Sequence, residues 1–496
     1  MAFKTSQLAF GVSAVGLCAM LVLTACGGGS SSGSGTPPPP PPSGANEWTW
    51  MSGSSTLVLM ANGFGQPGVY GTLGVASSSN VPGGRLGAIS WTDGSGNLWL
   101  FGGRGYDSTG TLGWLNDLWE FNPTAKTWTW MGGSDTGDAS LYGTPGIYGT
   151  LGVSSPSNVP GDRDAPVSWI DGGGNLWLFG GWGFDSTGAT GVLNDLWEFS
   201  PITKEWTWMG GSDTGDASGV YGTEGVPSTT NVPGARYLAI SWTDSSGNFW
   251  LFGGTGQVAN SNDLWEFNPT NKEWTWVSGS DTGDASGVYG TLGVAAASNV
   301  PGGRSSLVSW TDSSGNLWLF GGGGGPTGIL NDLWEFSPIT KEWTWMGGSD
   351  TGDASGVYGT LGVAAASNVP GGRWNPVGWI DGSGNLWLFG GQGLDSTGTG
   401  GWLNDLWEFS PTTKEWTWMG GSNTTYANAT QYQPDRGQPG VYGTEGVPAT
   451  TNVPGGRYSA VSWTDNSGNF WLFGGAGHDS TAAQIGGLND LWRYQP

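Results

Sequence analysis

The sequence predicts an all-β chain built from one antiparallel unit used six times. Three observations carry this: a text that recurs from residue 47 onward, a tryptophan set that follows the text, and glycines and prolines that punctuate it. The recurring parts read PGGR, SWTD, SGNLWLFGG, LNDLWEF and KEWTWMGGS, with small variations. The arginine stands at Arg85, Arg163, Arg236, Arg304, Arg373 and Arg457, at intervals of 68 to 84 residues. Thirty of the 34 tryptophans fall at repeat positions, so packing is their default role.

Each copy reads as four short strands. In the first copy these cover residues 86–92, 97–103, 116–122 and 127–132. All are rich in aromatic and aliphatic residues and bounded by Gly, Pro, Asn or Asp. A glycine before the Asn between strands one and two (Gly96 in the first copy, Gly174 in the second) suits a tight hairpin that needs positive φ. A proline after strand three removes a backbone donor and stops the strand. The second strand is almost wholly apolar, as for a strand buried on both faces. Four-stranded meanders stacked face to face in a ring satisfy that requirement, which is the architecture of a six-bladed β-propeller. The last copy stops at Trp492-Arg493-Tyr494-Gln495-Pro496, just past its third strand. The folded part opens with Glu47-Trp48-Thr49-Trp50-Met51, which matches the fourth-strand text Glu205-Trp206-Thr207-Trp208-Met209. The N-terminal strand is therefore expected to complete the last sheet and close the ring.

Residues 1–25 carry a short basic start and an apolar run from Leu8 to Leu23, short for a membrane span. They lead into Leu23-Thr24-Ala25-Cys26, which resembles the lipobox of bacterial lipoproteins. That resemblance implies cleavage before Cys26, lipidation of Cys26, and a location at the bacterial cell envelope or surface, on the outer membrane if the cell is Gram-negative. Residues 26–46 hold the anchor and a Gly/Ser/Pro tether whose six prolines favour extended polyproline II. The folded body is expected over residues 47–496, as a monomer.

Cys18 and Cys26 are the only cysteines, so the body holds no disulfide, thiolate metal site or cysteine nucleophile. The formal net charge of −24, with only 15 Lys and Arg, argues against nucleic acid as a partner. The second strand ending in Gly-Gly, the third-strand Asn-Asp-Leu-Trp and the fourth-strand Trp together resemble the kelch repeat, in all six copies. The period is longer than the usual kelch period of about 50 residues, the excess lying between strand four and the next strand one. The resemblance implies a kelch-type propeller like the central domain of galactose oxidase. That enzyme's copper set of two His, two Tyr and a Cys cannot be built here, since His478 is the only histidine and the body has no cysteine. Sialic acid mutarotases share the fold and need only acid/base side chains, which leaves a metal-free sugar-active enzyme, mutarotase- or lyase-like, as an alternative.

Strand parity puts loops 1–2 and 3–4 at one end of each meander, and loops 2–3 with the long 4–1 linkers at the other. The former are short and nearly identical among copies, whereas loops 2–3 vary and share their end with the long self-similar linkers, so the 2–3/4–1 face is the expected working face. The six repeat arginines fall at that end and could ring a central mouth, where guanidinium forks would suit carboxylate or phosphate groups. Against this stands pairing of each Arg with a carbonyl or Asp of a neighbouring blade. Trp114, Trp182, Trp374 and Trp402, outside the repeat positions, fall at the same end, and Tyr106, Phe184 and His478 share one loop position. These are candidates for stacking on a sugar ring or peptide, or for packing the loops. Asp-Thr-Gly-Asp recurs at Asp135/Asp138, Asp213/Asp216, Asp281/Asp284 and Asp350/Asp353. These carboxylates are calcium candidates or solvated turn residues. Asp107, Asp185, Asp395 and Asp479, in Asp-Ser-Thr loops, are equally open. No Ser-His-Asp set is readable. The expected function is a surface-tethered scaffold that binds a carbohydrate or protein without a required cofactor. A calcium-dependent adhesion module is a further alternative.

Overall fold

The computed structural model of the chain describes residues 45–137, 143–324, 328–425, 437–481 and 484–496. The expected leader, Cys26 and nearly all of the tether lie outside these residues. Every regular element among the described residues is a strand, and the strand pairings are antiparallel. The second copy is representative. Val167–Ile170, Leu176–Phe184, Thr190–Ser200 and Glu205–Gly210 form one sheet in that order, and Arg163–Asp164 adds a short pairing to the far end of the second strand.

The meander follows the sequence reading with two physical differences. The second and third strands are longer than expected, running over Leu98–Tyr106 and Leu112–Asn122 in the first copy. In this copy the Gly-Gly pair does not end the second strand but bulges it, and the register shifts between Phe101 and Gly103, whereas in the third and sixth copies the strand stops at Phe252 and Phe473. A side chain could not sit there. A Cβ on Gly180, whose φ is +70°, would come within 2.6 Å of the Arg236 carbonyl of the next copy. The first strand is split instead. Arg85–Leu86 and Ile89–Thr92 both pair with the second strand, and Gly87 at φ +65° breaks them.

The N-terminal strand Glu47–Ser52 pairs with Leu491–Gln495 and stands where a fourth strand stands elsewhere, so the last sheet is shared by both ends of the chain. Hydrophobic clusters lie between successive sheets. One joins Leu98, Leu100, Trp119 and Phe121 of the first copy to Trp463, Trp471 and Phe473 of the last. Another packs Trp48 on Trp379, Phe389 and Trp492. Each buried indole removes on the order of 200 Å² from water, which gives every sheet-to-sheet seam a large apolar term.

Two series of hydrogen bonds run through all copies and return to their start. In the first, the Ala165 N–H donates to Gly87, Leu238 to Ala165, Ser306 to Leu238, Asn375 to Ser306, Ser459 to Asn375, and Gly87 to Ser459, at 2.7–3.1 Å. In the second, the first-strand indole N–H donates to a second-strand carbonyl of the next copy. It runs Trp91 to Trp177, Trp169 to Trp250, Trp242 to Trp318, Trp310 to Trp387, Trp379 to Trp471 and Trp463 to Trp99.

The long linkers are largely ordered and cover the exposed edge of the fourth strand. In the first copy Val69 bridges Val81, Ser77 bridges Trp128, and the Asn80 amide donates to the carbonyls of Val75 and Trp128. The last linker treats the N-terminal strand the same way, with Gly446 and Ala449 donating to Trp50 and Trp48. Covering these edges removes a row of unpaired backbone groups that would otherwise template aggregation.

Candidate functional site: the mouth of the variable loop face

The six repeat arginines are not presented to solvent. All are buried, and each forms a bidentate pair with the Asp of Asn-Asp-Leu-Trp in its own copy. The pairs are Arg85–Asp117, Arg163–Asp195, Arg236–Asp263, Arg304–Asp332, Arg373–Asp405 and Arg457–Asp490, at 2.6–2.8 Å. In the first copy the Arg85 guanidinium also donates to the carbonyls of Gly83 and Gly102. Asp117 additionally accepts the Tyr70 hydroxyl at 2.6 Å and the Trp119 indole N–H at 2.7 Å. Burial favours the neutral forms, but the facing charges win for the base: Arg85 is held above its ordinary pKa by Asp117. Burial and the adjacent carboxylate both raise the Tyr70 phenol, which stays a donor. The partner is thus the arginine's own sheet, not a neighbouring blade. Buried, and with four of its five donors taken up inside the protein, Arg85 serves the fold.

The aromatic candidates divide. Tyr106, Phe184, Trp402 and His478 are buried. Trp402 packs on Tyr458 and His478, and Phe184 packs edge-on to Trp114. Trp182 is 40% exposed, and Trp114 and Trp374 are half-buried.

The Asp-Ser-Thr loops are clasps. Asp185 Oδ1 accepts from Thr187 and the Ala189 N–H, while Oδ2 accepts the Gly215 N–H of the following linker. Asp107 holds Gly137, Asp395 holds Thr425 and Asp479 holds Leu57 in the same way. Although burial opposes it, these donors hold the Asp185 and Asp395 carboxyls below the usual range. In Asp-Thr-Gly-Asp the second carboxylate serves the same seam. Asp216 accepts the Val192 N–H, Asp353 the Ile329 N–H, and Asp284 the Asn260 amide. Asp135 and Asp213 lend backbone carbonyls to Ser108 and Ser186. Asp281 and Asp350 are exposed, and Asp138 lies outside the described residues. Among the described residues no three His, Cys, Asp or Glu side chains gather as a metal would need.

What varies without being consumed is a set of cross-strand neighbours around the backbone series described above. That series surrounds a cavity of about 130 Å³ lined by residues such as Gly87, Ala165, Leu238 and Asn375. The position after each repeat Arg holds Leu86, Asp164, Tyr237, Ser305, Trp374 or Tyr458. The position after Gly-Gly holds Arg104, Trp182, Thr255, Gly323, Gln392 or Ala476. The two positions are paired across strands, for example Leu86 with Arg104 and Asp164 with Trp182. Arg104 also pairs with Trp114 on its other side. Side chains then meet across the seam between copies. Trp182 stands edge-on to Tyr237 at 5.2 Å, and the exposed Arg104 guanidinium lies 5.8 Å from the Trp114 ring centroid. Burial pushes the Asp164 carboxyl up to about 6, against the Trp114 N–H and the Arg104 charge. Burial and Asp164 together raise the Tyr237 phenol.

Arg104, Asp164 and Tyr237 were missed by the sequence reading. The available signal was contrast: each immediately follows an invariant motif at a position where the copies disagree. The opposite end shows no such contrast. There Asp93 accepts the Trp99 indole N–H, and the same bond recurs from Trp177 to Asp171 through Trp471 to Asp465.

No protein-family model matches the chain, and no curated protein matches it.

Proposed function

We propose that the body is a six-bladed kelch-type propeller, closed by its N-terminal strand and carried on a lipid-anchored tether at Cys26. It acts as a surface scaffold that binds a carbohydrate or protein partner on the 2–3/4–1 loop face. The observation that carries this is the contrast between the two faces. One repeats the same hydrogen bonds copy after copy, while the other concentrates unlike aromatic, acidic and basic residues around one mouth.

Support for the closed ring comes from the two hydrogen-bond series that return to their start, and from the core shared by the first and last copies. Support for the kelch likeness is the set of Gly-Gly bulges and buried Asn-Asp-Leu-Trp elements. The chain enters the last sheet at Glu47, the position that follows loop 3–4 in other copies. A rigid disc with one variable face is a form suited to recognition.

The test is binding of the purified lipidated protein, in a detergent free of sugar groups, to arrayed glycans and to extracellular protein preparations. Retention that is lost when loop-face residues are replaced, without chemical change in the ligand, is the expected result. Steady conversion of a bound sugar would replace the scaffold reading with an enzymatic one.

A further inference from the structure

The seam between the first three copies differs from the rest of the mouth. Around the fifth and sixth copies, Trp402 is buried against Tyr458 and His478, and the residues paired beside them are Gln392 and Ala476. At the fourth copy, Gly323 leaves the space that the Trp374 indole enters. Those sectors are closed by packing. At the second copy the neighbours are instead an exposed guanidinium, a carboxylate and a partly exposed indole, at positions where every other copy carries a different residue.

We propose that Trp182, Asp164 and Arg104, backed by Trp114 and Tyr237, form a subsite for a neutral hexopyranose ring. This rests on the reading of the 2–3/4–1 face as the binding face. The chemistry matches on each side. Trp182 offers ring surface to solvent and is held edge-on by Tyr237 at 5.2 Å, so an aliphatic C–H face can stack on it without ordering a flexible side chain. Asp164 is the cross-strand partner of Trp182 and keeps acceptor capacity for sugar hydroxyls, since an ionised carboxylate has about four lone-pair sites. Arg104 supplies donors from the neighbouring strand, and a guanidinium fork suits two vicinal oxygens. The single positive and negative charges balance, which favours a neutral ligand over an anionic or cationic one. An apolar ligand would leave both charges unpaired and desolvated. The patch is a few side chains wide, the scale of one or two sugar rings and far below the ~800 Å² per partner of a stable protein interface.

The experiment is saturation-transfer NMR on the full-length lipidated protein in a sugar-free detergent. The probes are methyl β-D-glucopyranoside, methyl β-D-galactopyranoside, methyl α-D-mannopyranoside and N-acetylglucosamine, with methyl β-D-glucuronide as the anionic comparison. At least one neutral probe should bind, and Trp182→Ala should weaken it about tenfold or more. Asp164→Asn and Arg104→Ala should each weaken the same probe. Ile339→Ala, exposed in a 3–4 loop at the opposite end, should leave it unchanged. Trp182 is a surface residue and Asp164→Asn is isosteric; an unchanged melting temperature certifies the fold of Trp182→Ala and Arg104→Ala, and one no lower than the parent's certifies that of Asp164→Asn. Binding of a neutral probe that survives Trp182→Ala and Asp164→Asn overturns the placement while the loop-face reading stands. Preference for the glucuronide overturns the neutral-sugar assignment. If no probe binds and the glycan array is also blank, both the subsite and a carbohydrate role for this face are refuted. Recovery of a protein partner in that case transfers the face to protein recognition.

Discussion

Replacing Arg304 by Met tests whether the repeat arginines hold the fold together or await a ligand. Arg304 is fully buried. Its Nη1 and Nη2 donate to Asp332 Oδ1 and Oδ2 at 2.6 and 2.8 Å, and Nε and Nη1 also donate to the carbonyls of Gly302 and Gly321. Met fills most of the volume but leaves Asp332 with only the Tyr289 hydroxyl and the Trp334 indole. The carboxylate is then buried without its counter-charge, and two carbonyls lose their donors. Breaking a buried pair from one side costs about 3–5 kcal/mol. For a body of about 450 residues, an unfolding entropy of roughly 2.1 cal/mol/K per residue makes 1 kcal/mol worth about 1 °C. A drop of about 3–5 °C is therefore expected in calorimetry, if the body melts as one unit. The double change Arg304→Met with Asp332→Asn removes the orphaned charge while keeping an acceptor for Tyr289 and Trp334, and should recover at least half of the loss. A single variant melting within 1 °C of the parent, or a double variant worse than the sum of its parts, would refute a structural role for the pair. Loss of glycan binding at an unchanged melting temperature would return the arginines to the site.

Four further outcomes are expected. Trp48→Ala should cost about 3–5 kcal/mol by emptying the packing on Trp379, Phe389 and Trp492; deletion of residues 47–52 should abolish a single cooperative melt, as followed by near-ultraviolet circular dichroism. Asp185 and Asp395 are depressed in the folded state, so their contribution is present above the unfolded carboxyl value near 3.9 and fades as pH falls through the folded value. Asp185→Asn with Asp395→Asn should therefore lower the melting temperature at pH 6 and converge on the parent in strong acid, in a melting series from pH 2.5 to 7. Asp164 runs the other way. Raised to about 6, it favours the fold while protonated, and that contribution is lost as pH rises through 6. Asp164→Asn should stabilise the protein at pH 7.5 and leave it unchanged at pH 4, and a gain confined to acid pH would contradict the burial of this carboxyl.

How far the chain can be read without its fold is visible in particular residues. The strands, the order of each meander and the pairing of Glu47–Ser52 with Leu491–Gln495 were legible, because alternation, hairpin glycines and repeated text are local properties copied along the chain. The burial of the repeat tryptophans was legible for the same reason. The fate of the arginines was not. Whether Arg85 faces solvent depends on Asp117, 32 residues away, arriving with both oxygens at hydrogen-bond distance, and a motif records the residues but not their approach. The Asp-Ser-Thr and Asp-Thr-Gly-Asp loops looked like open carboxylates, and they became clasps only when a loop of one copy met the linker of the next. Arg104, Trp114, Asp164, Trp182 and Tyr237 span more than 130 residues, and only the stacking of successive sheets makes them neighbours. Repetition wrote the scaffold into the sequence, because every copy needs the same contacts. The mouth was decided by tertiary structure, because its contacts join residues that no repeat shares.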